Sequence, residues 1–274
     1  MSRRYQDIAT GVRLSFLDIA PELNERAGSA GENAPLLLIH GFTGTAETDM
    51  GLLIDEFRGE RRLIAPDLRG YGASRPPNRD FPPDFYQRDA ADLAALLDAL
   101  RPGPVVVLGF SDGAEAAVLL AATRPDLVRG VVAWGVSGVI SPEEVASVER
   151  WLPVSAWGPE RETWKGQIIE RHGAEQFEPL ITGWVAAARA IRDRGGNICL
   201  EQAANITCPV LLINGDGEVG NTVRDVQALA ARIPNGQLVF VPASDHPIQR
   251  DQPERLIHLI RDFLNRAQVP GARG

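Results

Sequence analysis

Short apolar runs alternate along this chain with longer amphipathic stretches, and the spacing of each decides what it can form. Val12 to Ile19 alternates apolar and polar positions, which predicts a half-buried strand. Leu36-Leu37-Leu38-Ile39, Val105-Val106-Val107-Leu108 and Val210-Leu211-Leu212-Ile213 are continuous apolar runs bounded by turn residues, the pattern of strands covered on both faces. Arg62 to Ala65, Val128 to Trp134 and Leu238 to Val241 read as further strands. Between them, Asp84 to Leu100 places Phe85, Leu93, Leu96, Leu97 and Leu100 on one helical face, and Ala114 to Ala122, Val223 to Arg232 and Pro253 to Leu264 read as helices. Strands alternating with helices imply a mostly parallel sheet flanked on both sides.

The alternation stops between Ser137 and about Leu200. Phe177, Leu180, Ile181, Trp184, Val185, Ala188 and Ile191 follow a helical stripe there, with no strand between. This stretch predicts a helical cap over residues 137–199, inserted into a core made of residues 1–136 and 200–274. Neither an internal repeat nor a low-complexity tract occurs, and the segment with Pro76-Pro77 and Pro82-Pro83 reads as an ordered loop.

Composition narrows the possible partners. With 274 residues, 44% hydrophobic and 23% charged, the chain can bury a sizeable core. A net charge of −8, a pI near 5.1 and no cluster of Lys or Arg argue against nucleic acid or an anionic membrane, and leave a small molecule as the expected partner. Cys199 and Cys208 are too few for a disulfide framework and lack zinc-site spacing, so free thiols and no metal site are expected. The charged N-terminal residues are followed by no apolar signal segment, which points to a cytoplasmic protein.

Gly109-Phe110-Ser111-Asp112-Gly113 is a G-x-S-x-G motif lying between a predicted strand and a predicted helix. Small residues flank the serine because a sharp strand-to-helix turn leaves no room beside the backbone; the turn lifts the Ser111 hydroxyl out of the sheet. The hydroxyl needs a base and the base an orienting acid. His246 lies between the last strand and the last helix, where a loop can aim its imidazole at Ser111. His40 is assigned to organising the loop after the third strand, and His172 and His258 are read as lacking partners. Asn214-Gly215-Asp216-Gly217-Glu218 offers two carboxylates; Glu218, three residues after Gly215, is favoured, with Asp216 as the rival. His40-Gly41-Phe42-Thr43-Gly44 follows the third strand, and the backbone N–H groups of Phe42 and Asp112 are assigned to an oxyanion hole.

Asp112 itself is unusual beside a nucleophile. At about 6 Å and an effective dielectric of about 20 its charge opposes an oxyanion by roughly 3 kcal/mol. Favourable contact with a helix N-terminus returns only about 0.3 to 1 kcal/mol. A substrate ammonium bound between the two negative centres reverses the penalty, so amino-ester recognition is the functional expectation. Trp151, Trp157, Trp164 and Trp184 all fall in the cap, where pocket lining and helix packing are equally open to them.

The chain also resembles the biphenyl hydrolase-like (valacyclovir hydrolase) family of α/β-hydrolase fold serine hydrolases. The resemblance rests on His40 to Gly44, Glu47-Thr48-Asp49, Asp67-Leu68-Arg69-Gly70-Tyr71-Gly72, Ser74 to Pro77, Arg79 to Pro82, Gly109 to Gly113, Trp134-Gly135, Gly196 to Cys199, Cys208-Pro209 and His246. It implies an eight-stranded, mostly parallel sheet and cofactor-free hydrolysis of esters, α-amino acid esters in particular. Ser111 then stands as nucleophile, His246 as base, Glu218 as acid and Asp112 as the carboxylate that receives the substrate ammonium. The family's acid is Asp rather than Glu, Gly113-Ala114 replaces a Gly-Gly pair, and much of the cap differs. Two other readings share the scaffold: a carbon–carbon bond hydrolase or perhydrolase on the same triad, and a ligand-sensing relative without turnover.

Overall fold

The structure, a computed structural model, describes residues 3–21 and 33–267. Met1 and Ser2, the start of the charged N-terminal segment, lie outside the described residues. In chain order the elements are β1 (Arg3–Asp7), β2 (Arg13–Ile19), β3 (Leu36–Ile39), α1 (Ala46–Phe57), β4 (Leu63–Pro66), α2 (Phe85–Leu100), β5 (Val105–Phe110), α3 (Asp112–Thr123) and β6 (Val128–Trp134). Then follow α4 (Pro142–Glu149), α5 (Pro159–His172), α6 (Ala174–Asp193), β7 (Val210–Gly215), α7 (Val223–Arg232), β8 (Gly236–Val241), α8 (Ile248–Asp251) and α9 (Pro253–Ala267).

The eight strands form one sheet in the order β1-β2-β4-β3-β5-β6-β7-β8. β1, β2 and β4 pair antiparallel; β4 and every strand beyond it pair parallel. The continuous apolar strands feed two cores at once, because successive side chains point to opposite faces. Leu37, Ile39, Val105 and Val107 join the core under α2, α3 and the cap, whereas Leu36, Leu38, Val106 and Leu108 join the core under α1 and α9. β1 escapes the hydrophobic pattern because it is a polar edge strand: Arg3-Arg4-Tyr5-Gln6-Asp7 has no fully buried residue, and charge holds it, with Arg3 Nη1 2.6 Å from the buried Asp67. α1 begins with a capping box in which Thr45 and Thr48 exchange side-chain and backbone hydrogen bonds.

The segment after β6 carries α4, α5 and α6 before the chain returns to the sheet at β7. Its two stems meet where Val139 bridges Asn197 and the Gly138 carbonyl accepts the N–H groups of Ile198, Cys199 and Leu200. Glu115, one turn into α3 and buried, ties both stems to the core. One of its oxygens accepts the N–H groups of Ser137 at 3.1 Å and Gly138 at 2.9 Å, and the other lies 3.1 Å from the Cys199 thiol. Cys199 and Cys208 are buried free thiols. Among the described residues no helix is long and apolar enough to cross a membrane.

Burial pushes the Glu115 carboxyl up to about 7 from 4.5, against the pull of its hydrogen bonds. The folded protein therefore holds this proton more tightly than the unfolded chain. The resulting stabilisation is complete below about pH 4.5 and is lost as pH rises towards 7. Unfolding free energies measured from pH 4.5 to 8 are expected to fall less steeply in Glu115→Gln than in the wild type, by up to about 3 kcal/mol over the interval. Glu115→Ala, which strands two buried N–H groups, should lose about 2 to 5 kcal/mol at every pH.

Candidate active site

The site starts from a backbone conformation. Ser111 sits at φ 55°, ψ −123°, a region that non-glycine residues avoid, and its N–H donates to the Trp134 carbonyl at 2.9 Å. Gly113 is required immediately after it. A Cβ there would lie 2.4 Å from the His40 carbonyl oxygen and 2.5 Å from that of Ile39, so only glycine lets the start of α3 rest on the end of β3. That close approach brings the His40–Gly44 loop beside the serine. His40 holds the loop from beneath, its Nε2 accepting the Leu68 N–H at 2.9 Å.

The loops after β7 and β8 bring the other two groups to Ser111. His246 Nε2 is 2.8 Å from Ser111 Oγ, and His246 Nδ1 is 2.6 Å from Glu218 Oε2. The other Glu218 oxygen accepts the N–H of Gly220 at 3.2 Å, and Gly217 N–H donates to the Ser244 carbonyl at 3.0 Å, joining the acid loop to the histidine loop. Gly135, at φ 65°, leaves space for the imidazole, since a Cβ there would come within 2.8 Å of His246 Cε1. Asp216 is exposed, and its N–H extends the strand pairing to Val241. It does not meet His246. Burial alone would lower the imidazole pKa, but the hydrogen bond and charge of Glu218 outweigh it and hold His246 above its ordinary 6.5. Glu218 is held below its ordinary value by the same contact, against its own burial.

Phe42 and Asp112 line the same cavity as the serine. Asp112 is the first residue of α3, so its N–H has no acceptor within the helix. Its side chain, 4% exposed, accepts hydrogen bonds from Tyr86 Oη at 2.8 Å and Trp184 Nε1 at 3.0 Å, both neutral donors. Burial lifts its carboxyl to about 6, opposed by those hydrogen bonds and by the Arg79 charge.

The cap docks on the His40–Gly44 loop through Thr43. Its carbonyl accepts His172 Nε2 at 3.0 Å and Arg171 Nη1 at 3.3 Å, and its hydroxyl accepts Trp164 Nε1 at 3.2 Å. His172 is thus not a histidine without partners. Its Nδ1 also accepts Gly72 N–H, and burial lowers its pKa to about 4, leaving a neutral imidazole that bridges core and cap. His258 likewise has a partner, Asp262 at 3.2 Å on the exposed face of α9.

Ser111, His246, Asp112 and the Thr43 loop line one cavity of about 460 Å³. Trp151, Trp164 and Trp184 line it too, with Trp151 stacked on Phe42 at 5.7 Å, whereas Trp157 packs behind, stacked on Trp164 at 5.0 Å. Tyr86, Glu115 and Glu144 complete one side and were not singled out from the sequence. For Glu115 a signal existed: a charged residue in the middle of the apolar run of α3. Burial and the charges of Glu115 and Asp112 push the Glu144 carboxyl well above its ordinary range.

A hydroxyl, an imidazole and a carboxylate in hydrogen-bonded series can carry out acyl transfer. The chain belongs to the alpha/beta hydrolase family, whose model matches residues 36–259. It is 30% identical over 245 residues to the serine hydrolase BPHL of Homo sapiens, covering 89% of this chain and 83% of that one. It is also 27% identical to the 2-hydroxymuconate semialdehyde hydrolase of a Pseudomonas species, over 96% of this chain and 94% of that one. Among solved structures, a thermophilic esterase from Thermogutta terrifontis shares the fold with a TM-score of 0.72 at 23% identity, covering 98% of this chain and all of that one.

The hydrogen bond from Glu218 sets the imidazole's titration. NMR titration of His246 should give a pKa above 6.5 in the wild type, a lower one in Glu218→Gln and an unchanged one in Asp216→Asn. Turnover should follow the same ranking, with kcat down by roughly 10³- to 10⁴-fold in Glu218→Gln, where an amide partner favours the wrong tautomer.

Proposed function

We propose that this protein is a cofactor-free serine hydrolase that cleaves small carboxylic esters of α-amino acids through an acyl-enzyme on Ser111. One observation carries the reading: a nearly inaccessible carboxylate, Asp112, adjoins the nucleophile, faces the cavity and is satisfied by neutral donors alone. Without a cation such a group costs the enzyme twice, in desolvation and in repulsion of the oxyanion. A substrate α-ammonium supplies the missing charge and is held one residue from the attacking oxygen.

In this reading Ser111 Oγ bonds to the ester carbonyl carbon while its proton passes to His246 Nε2. The carbonyl oxygen becomes an oxyanion held by the N–H groups of Phe42 and Asp112, each donor of this kind being worth about 2.7 to 4 kcal/mol in the transition state. The imidazolium, stabilised by Glu218, gives its proton to the alcohol oxygen as the carbon–oxygen bond breaks. Water then repeats the sequence on the acyl-enzyme and releases the amino acid. The raised pKa of His246 places the acidic limb of kcat/KM above 6.5, with activity rising as pH rises through it. The relationship to serine hydrolase BPHL supports the ester chemistry; the relationship to a 2-hydroxymuconate semialdehyde hydrolase makes carbon–carbon cleavage the reading to test against it.

The test compares kcat/KM for an α-amino ester and its matched des-amino ester in the wild type and in Asp112→Ala. The amino ester should lose roughly 10- to 150-fold relative to its partner, the worth of one charge-assisted hydrogen bond. Selectivity in the wild type should decline below about pH 6 as Asp112 takes up its proton. Equal losses for both esters would reduce Asp112 to a helix-start residue. Faster cleavage of a vinylogous diketone than of any ester would transfer the enzyme to the carbon–carbon class.

A further inference from the structure

Two cations, Arg171 of α5 and Arg250 of α8, line the cavity among the carboxylates Asp49, Asp112, Glu115, Glu144, Glu218 and Asp245. Asp112 and Asp49 both lie within electrostatic reach of His246, and Asp49 also within reach of Arg171 and Arg250.

The two arginines are incompletely matched. Arg171 Nη1 donates to the Thr43 carbonyl at 3.3 Å, fixing one end of its guanidinium on the oxyanion loop. Arg250 Nη2 is 3.9 Å from Asp49 Oδ1, beyond hydrogen-bond distance, while Asp49 Oδ2 accepts the Gly41 N–H at 3.0 Å. Two guanidiniums with five N–H donors each therefore share one buried carboxylate whose second oxygen is already engaged. They are also close enough for their like charges to repel. Glu170, beside Arg171 in sequence, is exposed, and the Arg250 side chain is 58% exposed, so water screens both while the half-buried Arg171 keeps the stronger demand for an anion. A planar oxyanion or a phosphate matches the free fork of a guanidinium and relieves the repulsion between the pair.

The reaction gives this pair its orientation. The leaving oxygen must reach His246 Nε2, so the alcohol half departs past His246, where Pro247 and Arg250 continue the cavity wall. We infer that Arg171 and Arg250 form a binding site for an anionic group, phosphate or carboxylate, carried on the alcohol half of the ester. The inference rests on the ester-hydrolase reading above and is independent of its α-amino part.

The test uses alanine esters of 2-hydroxyethyl phosphate, 3-hydroxypropanoate and 1-propanol, with acetate esters of the same three alcohols as a parallel series. In the wild type, kcat/KM should favour an anionic alcohol over propanol by about 10- to 100-fold at low salt in both series. The preference should contract as salt is added. The relative rates of the phosphate and carboxylate esters identify which anion the pair suits. The double variant R171Q/R250Q should bring the ratio close to one. Because Arg171 also holds Thr43, R250Q alone must lower the ratio while keeping the wild-type unfolding midpoint. A wild-type ratio at or below one in both series, or a preference that survives in the double variant, would overturn the inference. A preference for anionic alcohols in the acetate series combined with no advantage of alanine over acetate would leave it standing while removing the α-amino reading.

Discussion

Everything in this site depends on one strained residue. Ser111 at φ 55°, ψ −123° lies in a backbone region that costs about 1 to 3 kcal/mol for a side chain to occupy, and the surroundings leave no alternative. β5 is buried on both faces before it, α3 is buried along nearly its whole length after it, and the two must join within a residue. The strain points the hydroxyl away from the sheet and towards the loops that follow β7 and β8. Gly113 transmits the constraint to β3, because the absence of its Cβ sets how closely the oxyanion loop approaches the serine.

Around this fixed point the structure spends stability on charge. Asp112, Glu115 and Glu144 are carboxyl groups that burial pushes upward, gathered on one side of a cavity. A structure built for stability alone would fill those positions with apolar side chains, and the run of Ala, Val and Leu along α3 shows the same helix doing so elsewhere. Glu115 has a structural return, since it holds both stems of the cap. Asp112 has only two neutral hydrogen-bond donors, Tyr86 and Trp184. Cap and core are also coupled through Thr43, whose carbonyl and hydroxyl receive donors from three residues of α5. The His40–Gly44 loop and the cap are therefore tied together beside the tryptophans that line the cavity.

Much of this was legible in the sequence, for reasons that differ by element. The buried parallel strands announce themselves as apolar runs because both faces are covered, and the elbow is legible because tight packing admits only glycine two residues to either side of Ser111, at Gly109 and Gly113. The polar edge strand β1 was not, since charge and ladder hydrogen bonds hold it rather than an apolar face. α1 lacks so clean a stripe and starts on a Thr-Thr capping box instead of a Ser-to-Glu one. Glu218 and Asp216 sit two residues apart on a turn, and only the path of the loop shows which side chain turns inward. Glu144, His172 and the arginine pair lie where segments far apart in the chain meet, which local periodicity does not encode, whereas Glu115 shows as a charge within an otherwise apolar helical run.

The central claim is that Ser111 is a nucleophile activated by His246. Its most direct measurement is the mass of the intact protein, followed by peptide mapping, after brief treatment with a small fluorophosphonate. The account predicts one adduct, located on Ser111, forming faster as pH rises through the His246 transition and lost in His246→Ala. An adduct at another residue, or labelling of Ser111 that proceeds unchanged without His246, would contradict it.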